Sequence, residues 1–369
     1  MAAMSGGVDS AVAAALLVER GFEVVGVTMQ MYRPTRPAHA KACCGAEDFD
    51  DARRSAAKLG IPHYVLDFEE AFRREVVDRF TADYRNGRTP NPCVACNNFV
   101  KLGTLRRFAD RLGAAYVATG HYARLDHGAA GGTRLEHGAP GPRLFAGSDP
   151  AKDQSYALAQ LTREQLAGLL LPLGDSTKAA TREQARRLGL PVHDKPESQD
   201  ICFVEGRDYR TLLDDSGDSA CDGSGDGAVV TTRGEVVGTH GGIAHFTVGQ
   251  RRGLPATHFN DGPRYVTRID PRTNTVVIGR EDELFAFGLV ARDVNLIRPE
   301  RFAAPLRVRA MTRYRSPLNL ATATLEADGT ILRLAFEAPE RAIAPGQLVA
   351  LYALESNEVL GAATIAEAT

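Results

Sequence analysis

Two strings in this chain bring together residue types that do chemistry. The first is Ser5-Gly6-Gly7-Val8-Asp9-Ser10, placed directly before a helical pattern. Adjacent glycines let the backbone approach a ligand closely, the serine hydroxyls add donors, and the helix N-terminus supplies aligned N–H groups with a partial positive charge. Such a loop suits phosphate. Its spacing differs from G-x-x-x-x-G-K-S/T, which occurs nowhere in the chain, so the lysine that clamps a γ-phosphate in that motif is missing. Asp9 either holds Mg²⁺ or braces the loop. The second string, Arg88-Thr89-Pro90-Asn91-Pro92-Cys93-Val94-Ala95-Cys96-Asn97, fixes a rigid turn with two prolines and carries a C-x-x-C pair. Cys96 is expected at the start of a helix over 97–112, where the dipole lowers a thiol pKa and favours a nucleophilic thiolate. The plainer reading is half of a zinc site, which needs four ligands, and no second C-x-x-C exists. A third thiol, Cys202, lies within Ser198-Gln199-Asp200-Ile201-Cys202-Phe203, while Cys43, Cys44 and Cys221 read as incidental reduced thiols.

The elements that must position these residues follow from periodicity. The first 120 or so residues alternate short β-branched runs with longer amphipathic stretches, the α/β pattern of a parallel sheet with helices on both faces. Helices are expected over 10–21, along the face of Phe49, Ala52, Ala56 and Leu59, along Phe72, Val76, Phe80 and Tyr84, and over 97–112. Strands are expected over 24–29, 63–66 and 115–119. Only Met1 to Met4 precede the phosphate loop, so a first strand cut short by a misplaced start is expected. Residues 126–143 and 214–227 are rich in Gly, Asp and Ser and read as loops, the second at a domain boundary. Beyond it, short strands over 229–232, 265–269, 275–278, 306–314, 332–336 and 348–354 predict a small β-rich central domain and a C-terminal β-barrel. The expected domains are 1–207, 208–283 and 284–369. No internal repeat is found.

Composition bounds the function. With 44 Lys plus Arg against 46 Asp plus Glu, the net charge of -2 excludes a wholesale basic protein but not a local basic face. Between Arg298 and Arg315 six arginines meet one acid, Glu300, and strand alternation would set several on one face for phosphates. A solvated face balanced by neighbouring acids is the commoner fate of such a run. Nine cations against four acids between Arg73 and Arg111 invite the same two readings. No apolar run spans a membrane and no signal peptide is evident, and six cysteines in 369 residues are too sparse for a disulfide scaffold. A cytoplasmic location is expected. His121 and His245 receive no role, because a lone histidine is more often a packed side chain.

The phosphate loop resembles that of the PP-loop ATP pyrophosphatases, which split ATP between the α- and β-phosphates and activate a substrate oxygen as an adenylate. G-R-T-P-N-P-x-x-x-C-N at 87–97, A-T-G-H-Y at 118–122, K-D-Q-S-Y at 152–156, D-I-C-F at 200–203 and F-T-V-G-Q-R-R-G-L at 246–254 follow it in order. Together these strings resemble the bacterial tRNA-specific 2-thiouridylase family over essentially the entire chain. The resemblance implies a tRNA-uridine 2-sulfurtransferase that converts ATP to AMP and pyrophosphate, with Mg²⁺, and replaces the C2 oxygen of the wobble uridine with sulfur. It implies that Cys96 is the nucleophile, that Cys202 carries the sulfur as a persulfide, and that the two close a disulfide. By the same resemblance Ala3, Met4, Ser5, Gly6, Gly7, Val8, Asp9, Ser10, Met29 and Gly120 contact ATP. Asn91, Pro92 and Cys93 contact the target base, and Lys152, Asp153, Gln154, Arg313 and Tyr314 contact tRNA. The implied partners are the anticodon arm of tRNA and a cysteine desulfurase or sulfur-relay protein as donor. Family members carry Asp where this chain has Cys93. Three thiols, Cys93, Cys96 and Cys202, would suit three irons of a 4Fe-4S cluster whose open iron binds hydrosulfide, so cluster and persulfide routes both stand, as does the plainer reading of Cys93 as an unused substitution. Two rivals explain less: a PP-loop ligase for small molecules has no use for the thiols, and a metal- and RNA-binding module leaves the phosphate loop unexplained.

Overall fold

The computed structural model describes residues 1–33, 45–128, 141–196, 201–204, 209–215, 225–254, 259 and 262–369. Its N-terminal part holds a parallel sheet of β1 (Ala2–Ala3), β2 (Gly26–Gln30), β3 (His63–Asp67), β4 (Val117–Ala118) and, after the hairpin β5 (Ala123–Asp126) and β6 (Arg143–Ala146), β7 (Leu169–Leu170). The order is β3-β2-β1-β4-β7. The two-residue β1 is therefore the central strand, parallel to β2 and β4. The Met1 ammonium donates to the Tyr116 carbonyl at 2.8 Å, and burial lowers its pKa. Because the chain runs one way from β1 to β2 and the other way to β4, a crevice opens beyond the carboxyl ends of β1 and β4, where open α/β sheets bind ligands.

The helix after β1 spans Val8–Glu19, two residues earlier than the sequence predicts, with Gly7 as its N-cap. Four buried alanines, Ala11, Ala13, Ala14 and Ala15, let it lie close on the sheet. The helix Ala46–Leu59 stops at Gly60, whose φ of 67° suits glycine. Phe72, Val76, Phe80 and Tyr84 are all buried along the helical residues 69–85. The fourth helix is longer than predicted, running over 92–111, because Asn91 caps it and Pro92 takes its first position.

The remaining strands form two sheets. β8 (Gly227–Thr231), β9 (Val236–His240), β10 (Tyr265–Asp270) and β11 (Thr275–Gly279) pair in the order β10-β11-β8-β9 over Val229, Ile243, Phe246, Val266, Val276 and Ile278. β12 (Phe285–Leu296), β13 (Leu306–Met311), β14 (Asn319–Leu325), β15 (Leu332–Arg341), β16 (Leu348–Tyr352) and β17 (Glu358–Ala368) close a barrel, since β12 pairs with both β15 and β17. The first expected barrel strand stops at Met311 rather than 314, and a turn over 312–316 follows.

β17 also pairs with β6, so the hairpin β5–β6 extends the barrel sheet. Glu358, 3% exposed, accepts Arg143 Nε and Nη2 at 2.9 and 2.8 Å and Arg298 Nη1 at 3.1 Å. Nearby, the Tyr156 hydroxyl donates to the Leu348 carbonyl at 2.8 Å, and Ser155 Oγ lies 3.0 Å from the Tyr352 hydroxyl. One hydrophobic core therefore includes Tyr156 and Leu158 together with Leu348, Ala350 and Tyr352.

Of the expected loops, 126–143 contributes its ends to β5 and β6, with 129–140 outside the described residues. In 214–227, Asp214 and Asp215 end the helix Tyr209–Asp215 and Gly227 opens β8, with 216–224 outside the described residues. Cys43, Cys44 and Cys221 lie outside them too. Among the described residues no helix is long and apolar enough to cross a membrane.

Candidate functional site

The crevice at β1 and β4 is built from two loops pressed together. Ser10 Oγ donates to the Gly7 carbonyl at 3.0 Å and accepts the Ser5 N–H at 3.1 Å, closing the first loop. Gly6 has φ of 73°, and a Cβ there would overlap the Asp48 carbonyl. A Cβ on Gly120, in the loop after β4, would sit 2.8 Å from both Asp9 C and Ser10 N. Only glycine permits that approach. Asp9 is committed within the protein: Lys178 Nζ donates to both its oxygens at 2.7 Å, and the Tyr122 hydroxyl donates to Oδ1 at 2.7 Å. Of the two roles open to Asp9 in the sequence, the structure shows the brace. The lysine in question comes from the helix Lys178–Arg187, far from any motif.

The thiols come from two directions. Asn91 Oδ1 accepts the backbone N–H groups of Cys93 and Val94 at 3.1 and 3.4 Å, so Cys93, not Cys96, occupies the first turn. Cys93 is exposed; Cys96 lies one turn in, 7% exposed, its Sγ 3.8 Å from Met31 Sδ. The expected lowering of the Cys96 pKa by the dipole is overturned: burial pushes it up, Lys101 opposes this, and Cys93 adds to it. Cys202 is half-buried, and its neighbour Phe203 packs edge-on against Phe72 and Phe80 at 5.7 and 5.3 Å. Residues 198–200 of its motif lie outside the described residues.

A cavity of about 430 Å³ joins these parts. Of the residues singled out in the sequence, Ala3, Met4, Ser5, Asp9, Ser10, Met29 and Gly120 line it, as do Asn91, Pro92, Cys93, Cys96, Cys202, Gln154 and Tyr314. Gly6, Gly7 and Val8 are not among its walls; Val8, the first residue of the helix, is buried in the core with Ala11 and Val12 instead. Lys152, Asp153 and Arg313 also lie outside the lining. The Asp153 carboxylate ties its own loop, accepting Gly147 N–H at 2.8 Å and the Ser155 N–H and hydroxyl at 3.1 and 2.8 Å. Tyr314 and Arg315 reach that loop from the barrel side, donating to the carbonyls of Asp153 and Ala151 at 3.5 and 3.4 Å. In the arginine run, Arg298 and Arg307 pair with Glu300 and Glu337, and Arg309 donates to the carbonyls of Ala353 and Ser356. For Arg298 and Arg307 the balanced reading holds, whereas Arg309 is held by backbone carbonyls.

Motif reading missed several lining residues: Met31, Asp48, Asn97, Lys101 and His121. His121 belongs to the A-T-G-H-Y string at 118–122. Its Nδ1 is 2.8 Å from Thr119 Oγ1, and burial drives its pKa down to about 3, so it is neutral at physiological pH. The three thiols share a cavity but not a coordination sphere: among the described residues no group of three or more His, Cys, Asp or Glu is placed to hold a metal ion. The residues as arranged do not fit a 4Fe-4S cluster or a closed zinc site.

Family profiles match in three consecutive stretches: a tRNA methyl transferase HUP domain over 1–206, a tRNA methyl transferase PRC-barrel domain over 221–280, and an aminomethyltransferase beta-barrel domain over 287–365. A tRNA-specific 2-thiouridylase MnmA of Pelotomaculum thermopropionicum is 45% identical, over 98% of this chain and 96% of its own. That of Moorella thermoacetica is 46% identical, over 99% and 98%. The chain belongs to the tRNA-specific 2-thiouridylase family. The family descriptions speak of methyl transfer, whereas the curated relatives are named 2-thiouridylases; this cavity has Cys96 and Cys202 in its walls. A U34-tRNA thiolase NcsA from Methanococcus maripaludis, solved with its 4Fe-4S cluster, is 17% identical with a TM-score of 0.33, covering 60% of this chain and 74% of its own. That likeness is too slight to transfer a cluster.

Proposed function

We infer that this 2-thiouridylase uses ATP to replace the C2 oxygen of a tRNA uridine with sulfur, through a persulfide. The observation that carries this reading is the single cavity lined by the phosphate loop and by both Cys96 and Cys202. ATP lies with its phosphates on the N–H groups around Ser5 to Ser10, and Mg²⁺ arrives on those phosphates. The carboxylates that line the cavity, Asp9 and Asp48, are already paired with Lys178 and Lys195, so the ion keeps mostly phosphate and water ligands.

The uridine C2 oxygen attacks the α-phosphate and pyrophosphate leaves. The terminal sulfur of a Cys202 persulfide adds to C2, and the C2–O bond breaks with its electron pair going to AMP. The Cys96 thiolate then attacks the Cys202 sulfur; the S–S bond breaks toward the sulfur on C2, which becomes the thiocarbonyl, and Cys96 and Cys202 are left as a disulfide. A dithiol reductant restores both thiols. Neutral His121 offers a hydrogen bond without a charge. No step passes through an iron–sulfur cluster.

Asn91, Pro92 and Cys93 frame the target base, and the facing loops that carry Lys152, Asp153 and Gln154, and Arg313 and Tyr314, take the tRNA. The wobble uridine of the anticodon arm is the proposed target, extracted from its stack to reach the thiols. A cysteine desulfurase or relay protein charges Cys202 in the cytoplasm. Catalysis is assigned to 1–207, docking to 208–283 and the barrel to 284–369. Nucleoside mass spectrometry of unmodified tRNA, incubated with protein, ATP, Mg²⁺, a desulfurase and cysteine, tests the reading. ATP-dependent 2-thiouridine is expected, with loss of at least about a hundredfold in Cys96→Ser and in Cys202→Ser. Full activity in either variant, or product without ATP, would refute it.

A further inference from the structure

Residues 96–104 are wound as a π-helix between the α-helical turns Pro92–Ala95 and Leu105–Arg111. On an α-helix, at about 100° per residue, positions five apart diverge by about 140°, and Lys101 would point away from Cys96. In π winding the hydrogen bonds run from i to i+5, so residues five apart stack on one face. The segment begins at Cys96, and Lys101 lies five residues after it.

Three further observations converge on this lysine. Lys101 and Cys96 line the same cavity, and Lys101 is the only Lys or Arg among its described walls. Its ammonium donates to Asn97 Oδ1 at 3.0 Å; Asn97 is 2% exposed, and its Nδ2 is committed to the Ala157 carbonyl at 3.1 Å, which leaves Oδ1 to accept. Lys101 is also the cation whose field acts on the Cys96 thiol against burial, while Cys93 acts the other way.

We propose that Lys101 is the positioning cation of sulfur transfer: π winding sets its ammonium beside Cys96, where it stabilises the negative charge that this thiol carries as it attacks the Cys202 sulfur. The proposal rests on the reading of Cys96 as nucleophile. It explains how a buried thiol acts without a helix dipole at its position, and why the helix departs from α geometry where it does.

The test is the rate at which iodoacetamide alkylates each cysteine of the full-length protein, measured by peptide mass spectrometry without ATP or tRNA. Lys101→Gln keeps a donor toward Asn97 and removes the charge; Lys101→Met and Lys101→Arg complete the series. Alkylation of Cys96 is expected to slow about tenfold in Lys101→Gln and Lys101→Met, the equivalent of one pKa unit, and to recover within about twofold in Lys101→Arg. Rates at Cys93 and Cys202, and the ATP-induced rise in melting temperature, should stay near wild type, which a merely structural role would not preserve. Wild-type Cys96 alkylation in Lys101→Gln would overturn the proposal, whether or not thiouridine formation is lost, since Lys101 would then act elsewhere. Equal slowing at all three cysteines would overturn it as well. Failure of the underlying reading is distinguishable, because it would show as thiouridine formation surviving Cys96→Ser.

Discussion

Asp9 accepts three hydrogen bonds from two donors, two of them from the ammonium of Lys178, 9% exposed. Asp9→Asn removes the carboxylate that takes two hydrogen bonds from that ammonium and is expected to destabilise the protein by about 2 kcal/mol, discounted for the partial exposure of Asp9. Urea unfolding measures this, and Lys178→Met in the same chain should recover part of the loss. His121 gives a pH signature. Burial holds its pKa at about 3 in the folded protein against an ordinary value of 6.5, so the unfolded chain binds the extra proton. Stability is therefore full above the unfolded pKa and falls as pH drops below it, by about 1 kcal/mol between pH 7 and 5.5. His121→Asn should flatten the stability profile over that window by this amount. At this scale the chemistry is partly visible in sequence: the serine and glycine loop and the cysteine spacing declare themselves locally. Lys178 does not, because it reaches Asp9 across 169 positions, and Lys101 does not, because only the π register turns it toward Cys96.

Elements with a strong apolar period were legible, as in the buried row from Phe72 to Tyr84 and the Gly60 stop. The seven strands not foreseen, β5, β6, β7, β9, β12, β14 and β17, share a different character. β17 reads Glu-Val-Leu-Gly-Ala-Ala-Thr-Ile-Ala-Glu-Ala, with its first six residues buried, so neither alternation nor β-branched enrichment marks it. Its strand state comes from pairing with β16 and β12. β7 is two residues long and carries no period at all. The contact between the phosphate loop and the loop after β4 also belongs to this scale. Gly120→Ala places a Cβ 2.8 Å from the Asp9 and Ser10 backbone and must push the loops apart. ATP affinity measured by calorimetry is expected to fall at least about tenfold, with a smaller effect on melting temperature.

Across the whole molecule, the succession of α/β, central β and barrel regions was readable from the change in periodicity, but the seam between the first and the last was not. That seam consists of β6 on β17, Glu358 between Arg143 and Arg298, and Tyr156 on Leu348. A chain ending at residue 283 would expose Tyr156 and Leu158, each worth about 1.5–3 kcal/mol of burial, and leave β6 with β5 alone. Such a truncation is expected to lose cooperative unfolding, whereas the full-length protein should melt in a single calorimetric transition. The same seam has a consequence in time. Arg143 and Glu358 are 215 positions apart. At about 5–20 residues per second, the ribosome adds the missing partner roughly 10–40 s after Arg143 is made. For that interval the nascent catalytic region carries an unpaired β6 edge and an uncovered apolar wall, so it cannot finish folding during its own synthesis and depends on whatever shields it until β17 emerges.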